Sequence, residues 1–267
     1  MTEAHDFFQS GQLSDAVTAA TQAVRNHPSD IEARSVLSEL LCFSGDMERA
    51  DKQLDAVAEL DSDSVVGVSL LRHLIRSEMC RHEVYESGRI PEFLTQPNAA
   101  LQARLKALIS LREGNSEDAA THVATARELE SSVMGECDGT AFEGMTDLDD
   151  LLGATIEVYT ATGKYYWLSL EQVVSLEISP MKHLSDQLWR AAEVETVGDV
   201  SGRVHLPALY HGSHAAEDER IRIGRATDWN QRCAGLTCGL GQREWLVGDE
   251  VTAINTISSL IFRTANG

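Results

Sequence analysis

The sequence predicts a multidomain α and α+β protein, with N-terminal helical repeats followed by a small α+β, largely β, C-terminal domain. Three observations carry this expectation. A Gly and Ala pattern recurs through the first half, residues 134–150 form an acidic, glycine-containing stretch without Lys or Arg, and all four tryptophans lie beyond that stretch.

The recurrence begins with Gly11, Leu13, Ala16, Ala20, Ala23 and Pro28. One 34-residue period later, the spacing of a tetratricopeptide unit, stand Gly45, Met47, Ala50, Leu54, Val57 and Ser62. Glycine ends one helix and frees the turn into the next, while the small alanine lets the two helices approach closely. A third copy, Gly114, Ala119, Val123 and Ala126, falls one residue beyond two further periods. Between them, Val66, Leu70, Leu71, Leu74 and Ile75 recur at helical spacing without the Gly and Ala pair, as expected of a degenerate unit. Pro91 and Pro97 break the chain before a helix over 99–111. The expectation is a TPR-like domain of about six or seven stacked helices over residues 1–133.

The stretch 134–150 reads as a solvated join, because charge runs are usually exposed and it lacks the ligand pattern of a calcium loop. Beyond it lies the C-terminal domain, 151–267. Glu157 to Thr162 reads as the end of a helix stopped by Gly163. Leu188 to Val197, Gly202 to Leu206, Ile221 to Gly224 and Arg243 to Val247 read as short strands, and Asp249 to Phe262 as a closing helix.

Composition narrows the function. With 42 acidic against 22 basic residues the net charge is −20, which repels nucleic acid. No apolar run reaches membrane-spanning length and no leader pattern opens the chain. Five scattered cysteines fit a reducing compartment, so a cytoplasmic protein is expected, with no membrane partner.

Several chemical patterns are present in fragments only. His205, His211 and His214 lack the i, i+4 spacing of a helical zinc motif, and Pro207 and Gly212 argue for a loop. Cys233 and Cys238 have no second cysteine pair. The run Gly235, Gly239, Gly241 leads into a strand, where a phosphate loop opens a helix, so it reads as a turn. Ser213 lacks the nucleophile-elbow glycines. No catalytic residue, metal ligand or cofactor is expected. Arg190, Arg225, Asp228 and Arg243 lie near Trp189, Trp229 and Trp245 in sequence; they form either a recognition surface or an internal salt-bridge and stacking network.

Six segments carry a resemblance. They are RSVLSELLCFSGDMERAD at 34–51, GKYYW at 163–167, LWRAA at 188–192, LPALY at 206–210, GRATDW at 224–229 and GLGQR at 239–243. In order and spacing the chain resembles the ImpE family, also called TagJ or SciE-type proteins. The resemblance implies a non-enzymatic, virulence-associated accessory role in type VI secretion, with binding to the small subunit of the contractile sheath and assistance to its engagement by the ATPase ClpV. The alternatives are a chaperone for a secreted effector, or a small-molecule or metal-dependent enzyme built on the C-terminal domain. Helical repeats offer a concave face to a helix or peptide, and on the second repeat that face points to Glu32, Ser35, Val36, Glu39 and Phe43 as partner-binding residues.

Overall fold

The computed structural model describes residues 3–198 and 200–263. Seven α-helices come first: α1 (Glu3–Gln9), α2 (Leu13–Asn26), α3 (Ile31–Phe43), α4 (Met47–Leu60), α5 (Val65–Glu86), α6 (Ala99–Arg112) and α7 (Ser116–Leu129). Helix α1 packs on α2, α3 on α4 and α6 on α7.

The recurring residues do one job in each pair. Gly11, Gly45 and Gly114 all adopt positive φ, between 77° and 83°, immediately after the first helix of a pair. That left-handed turn lets the second helix fold back, and a side chain there would be strained. Ala16, Ala50 and Ala119 are completely buried on the second helices. Replacing Ala50 with Leu should overpack this contact and cost about 1–3 kcal/mol. Urea denaturation followed by circular dichroism measures it; an unchanged midpoint would refute the assigned contact.

Where the degenerate unit was expected, a single 22-residue helix, α5, stands in place of a hairpin and packs on α4. Its buried face, including Leu74, Ile75, Ser77, Arg81 and Val84, meets the β-structure that follows.

That structure contains β1 (Met134–Cys137), β2 (Thr140–Glu143), β3 (Met145–Asp147), β4 (Thr155–Thr160), β5 (Tyr165–Ser169), β6 (Val173–Ile178), β7 (Trp189–Thr196) and β8 (Ser201–Pro207). After the short helix α8 (Glu219–Arg222) come β9 (Thr227–Cys233), β10 (Leu236–Gly241), β11 (Glu244–Val247), β12 (Glu250–Ala253) and β13 (Ser259–Arg263). The main sheet has eight strands in the order β2-β1-β13-β6-β7-β8-β4-β5, all neighbours antiparallel. A three-stranded sheet, β12-β11-β3, and the β9 and β10 ribbon complete it.

Four expectations are corrected. Residues 134–150 are no solvated join: they hold β1 to β3, and Asp147 and Asp149 are buried. Glu157 to Thr162 does not end a helix, because Thr155, Ile156 and Val158 are β-branched and the segment is the paired strand β4, closed by a turn at Gly163. Residues 249–262 carry apolar residues at a helix-like spacing of three. Their β-branched content instead supports β12 and β13, the latter inserted between β1 and β6. Ile221 to Gly224 is no strand, since Asp218 caps the helical turn of α8 by accepting from the Arg220 N–H.

One apolar cluster runs through both parts. Phe8, Phe43 and Leu74 from the helices share it with Tyr159, Tyr165, Trp167 and Trp189 from the sheet. A second cluster, around Leu176, Leu206, Trp245 and Leu260, lies within the β-structure.

Candidate functional site

The apolar seam between helices and sheet encloses a charged network. Glu157 on β4 is completely buried, and Arg81 on α5 grips it with both forks, Nε to Oε1 and Nη2 to Oε2, each at 2.9 Å. Arg243, also completely buried, donates to the same carboxylate and lies 3.5 Å from Asp147. Tyr165 donates its hydroxyl proton to Glu157 and accepts from the Trp167 indole N–H. Beside them, Glu78 on α5 accepts from Tyr159 at 2.6 Å and from the Trp189 indole at 3.0 Å.

The electrostatics follow from this packing. Burial pushes the Glu157 carboxyl up, but the guanidinium groups of Arg81 and Arg243 outweigh it and bring it to about 2. Burial raises Asp147 to about 6 against the pull of Arg243. Burial and then the charge of Asp147 raise Asp149 to about 7. Paired and sealed in this way, the network clamps α5 to the sheet. A buried bidentate pair holds geometry because an unpaired charge there is costly.

The residues singled out in the sequence scatter over this frame. Arg243 belongs to the clamp. Buried Arg190 donates to the Ser179 and Asn255 carbonyl oxygens, each at 3.0 Å, and holds two turns. Arg225 is exposed, reaching the Gln9 carbonyl oxygen with its guanidinium 5.7 Å from the Phe8 ring. Asp228 is exposed on β9, and its carboxylate accepts from the neighbouring Trp229 N–H. The four do not form one surface. Trp229, 37% exposed, is the outlying tryptophan, while Trp167, Trp189 and Trp245 are core.

On the second hairpin, Glu32 is exposed and Ser35 and Val36 are half-buried. Phe43 is not a binding anchor. It is 1% exposed and packs on Phe8 at 5.0 Å between ring centroids, because α1 covers that face of α3. Glu39 accepts from the Ser185 hydroxyl at 2.8 Å, and burial raises its carboxyl above the ordinary range.

The histidines divide as well. His211 and His214 border a cavity of about 360 Å³ together with His82. His211 stacks on Tyr85 at 4.3 Å, and burial lowers it to about 4. His205 lines a different space. Among the described residues no group of three or more His, Cys, Asp or Glu side chains is placed to hold a metal ion, and no helix is long and apolar enough to cross a membrane. The glycines of the 235–241 run serve the ribbon: Gly235 turns β9 into β10, and Gly239 lies against the Tyr210 ring, where a Cβ would stand 2.3 Å from it.

A groove of about 650 Å³ opens between α4, α5 and the sheet. The core residues Leu54 and Val57 of α4 and Val68 and Leu74 of α5 form its floor, and half-buried Leu70 and Leu71 its apolar wall. Ala191 and His205, directly paired across β7 and β8, lie opposite. Ser35 and Glu39 join the lining, as do Lys182, Asp186 and Arg203, which mix both signs of charge. Next to lining residues Ser64 and Gly67, Val65 and Val66 are exposed, Val66 at 82%. Sequence reasoning missed α5 as the groove wall because its repeat signature is absent; the signal available was its long unpartnered apolar pattern.

A family model for ImpE protein matches residues 139–261. The type VI secretion system accessory component TagJ of Pseudomonas aeruginosa is 31% identical over 261 residues, which span 97% of this chain and 90% of that protein. The chain belongs to the ImpE/TagJ family. The crystal structure of protein VPA1032 from Vibrio parahaemolyticus superposes with a TM-score of 0.91 at 28% identity, covering 98% of both chains. The likeness to TagJ and to this structure thus extends through the helices as well as the β-structure matched by the family model.

Proposed function

We propose that this ImpE/TagJ protein is a non-enzymatic, cytoplasmic accessory component of a type VI secretion system. In this reading, an amphipathic helix of the small contractile-sheath subunit lies in the groove between α4, α5 and the sheet, and the bound sheath subunit is presented to the ATPase ClpV. The hairpins of α1 to α4 and of α6 and α7 act as a TPR-like support for the α5 wall, with the β-structure beyond residue 133 as a second functional unit.

The observation that carries the reading is the groove itself. A helix with its side chains is about 10 Å across, and recognition of one requires an apolar trough with a polar rim. Half-buried Leu70 and Leu71 and exposed Val65 and Val66, over a floor of the core residues Leu54, Val57, Val68 and Leu74, with Glu39, Lys182 and Arg203 at the margins, support that requirement. The 31% identity to TagJ supplies the secretion context. The deep charges are consumed by the clamp between α5 and β4, which gives rigidity to the groove wall.

Calorimetry of the full chain titrated with the purified small sheath subunit tests this directly. Saturable one-to-one binding is expected, reproduced by a synthetic peptide of the helical segment. Absence of binding to both subunit and peptide would overturn the proposal.

A further inference from the structure

Two exposed cations border the groove without a counter-charge, in a chain whose net charge is −20. Arg203 on β8 lines the groove, two residues from His205 and therefore on the same face of the sheet. Glu193 stands directly across from it on β7 but lies outside the lining, and the two form no ion pair. Lys182, in the link between β6 and β7, is the second cation. Neither takes part in an ion pair among the described residues. The carboxylates beside them are engaged with other groups. Asp186 accepts from the Lys182 and His183 N–H groups at 2.6 and 2.8 Å. Glu39 accepts from the Ser185 hydroxyl and N–H, and burial raises its carboxyl. Asp63 belongs to the helix side, in the link between α4 and α5.

We propose that Lys182 and Arg203 form the recognition margin of the groove, selecting an occupant helix that carries Asp or Glu side chains on the flank facing the sheet. The apolar face of such a helix lies on Leu70 and Leu71, and carboxylates at its border meet the two cations. Arg203 offers a planar fork that grips a carboxylate with two parallel N–H donors, and Lys182 a flexible point charge. An apolar or basic flank leaves both cations partly stripped of water and unpaired, and is disfavoured. Most of the acidic surface repels the same helix, so opposite charge draws it to this border. This inference rests on the groove reading above.

Calorimetry of the full chain against the small sheath subunit and its helical peptide tests this with a Lys182→Gln/Arg203→Gln double variant. Both side chains are exposed and outside any ion pair, so the melting temperature is expected to stay unchanged. Binding at about 0.1 M salt should weaken roughly tenfold. The gap to wild type should largely close at about 1 M, where charges are screened beyond about 3 Å. Changing Asp and Glu to Asn and Gln on one flank of the peptide should weaken binding to wild type by a similar factor. It should add little to the loss in the double variant, since both changes remove the same pairs. Arg25→Gln/Lys106→Gln, at exposed positions on α2 and α6 outside the groove, changes the net charge equally and should bind like wild type. The margin is overturned if the double variant binds as tightly as wild type, if this control loses as much, or if the peptide and double-variant losses simply add. Tight binding of a peptide with no carboxylate on either flank overturns it too, and in all four cases the groove reading stands. If wild type itself binds neither subunit nor peptide, both fall.

Discussion

Replacing Glu157 by Gln is expected to destabilise the protein by about 3–5 kcal/mol, because it removes the anion shared by two buried arginines. Glutamine preserves the size and one accepting oxygen, so the loss reports charge and not volume. Arg81 keeps a weaker partner in Glu78, 3.5 Å away, and Arg243 keeps Asp147, but neither replaces the bidentate contact. A fall in melting temperature of roughly 10 °C corresponds to that loss in a protein of this size. The pH dependence has a definite sign. Glu157 falls from an ordinary 4.5 to about 2 in the folded protein, so the unfolded chain takes up the proton first and the stabilisation is present above 4.5. It drains away as pH drops towards 2. The gap between wild type and Glu157→Gln should therefore be constant near neutrality and shrink below pH 4.5. A constant gap down to acid unfolding, or a variant as stable as wild type at pH 7, would show that the carboxylate is not what fastens α5.

The second large effect is on binding. Gly67→Trp should abolish sheath-subunit binding, by 100-fold or more, or about 2.7 kcal/mol, in a protein that remains folded. Gly67 lies in the first turn of α5 and lines the groove, and a Cβ added there meets no atom within 4 Å. Its φ is an ordinary one, so a side chain brings no backbone strain and removes the helix penalty of glycine, worth up to about 1 kcal/mol. The indole has open groove to occupy, which is the volume the partner helix needs. Normal circular dichroism and an equal or higher melting temperature, together with lost calorimetric binding, are the expected pair of results. If folded Gly67→Trp binds like wild type, the partner docks elsewhere and the groove assignment fails.

These two variants also separate what could be read along the chain from what could not. The hairpins were legible because their determinants are local: a glycine that must adopt positive φ and an alanine a few residues later recur together. Strands β7 and β8 were legible for the same reason, being short segments bounded by turns. Residues 134–150 are not legible in this way, because an acidic run ordinarily means exposure. Asp147 instead accepts from the Tyr210 hydroxyl and the Trp245 indole, and Asp149 from the Leu151 and Gly239 N–H groups.

Of the proposed contact residues, Phe43 illustrates the limit most clearly. On α3 alone its position is as suitable for a partner helix as for the core, and periodicity cannot distinguish the two. The decision came from α1, whose Phe8 occupies the space in front of it.

By itself, then, the sequence determined the helical hairpins, the concentration of β-structure beyond residue 133 and the ImpE resemblance, since each is written in short segments. Tertiary structure alone decided that α5 is both clamp and groove wall, that β13 enters between β1 and β6, and that Glu157 is an anchor in a strand. The physical reason is that a buried charge is tolerable only with its counter-charges in place. Arg81 and Arg243 lie 76 and 86 residues away along the chain from Glu157, and only the closed fold brings all three together.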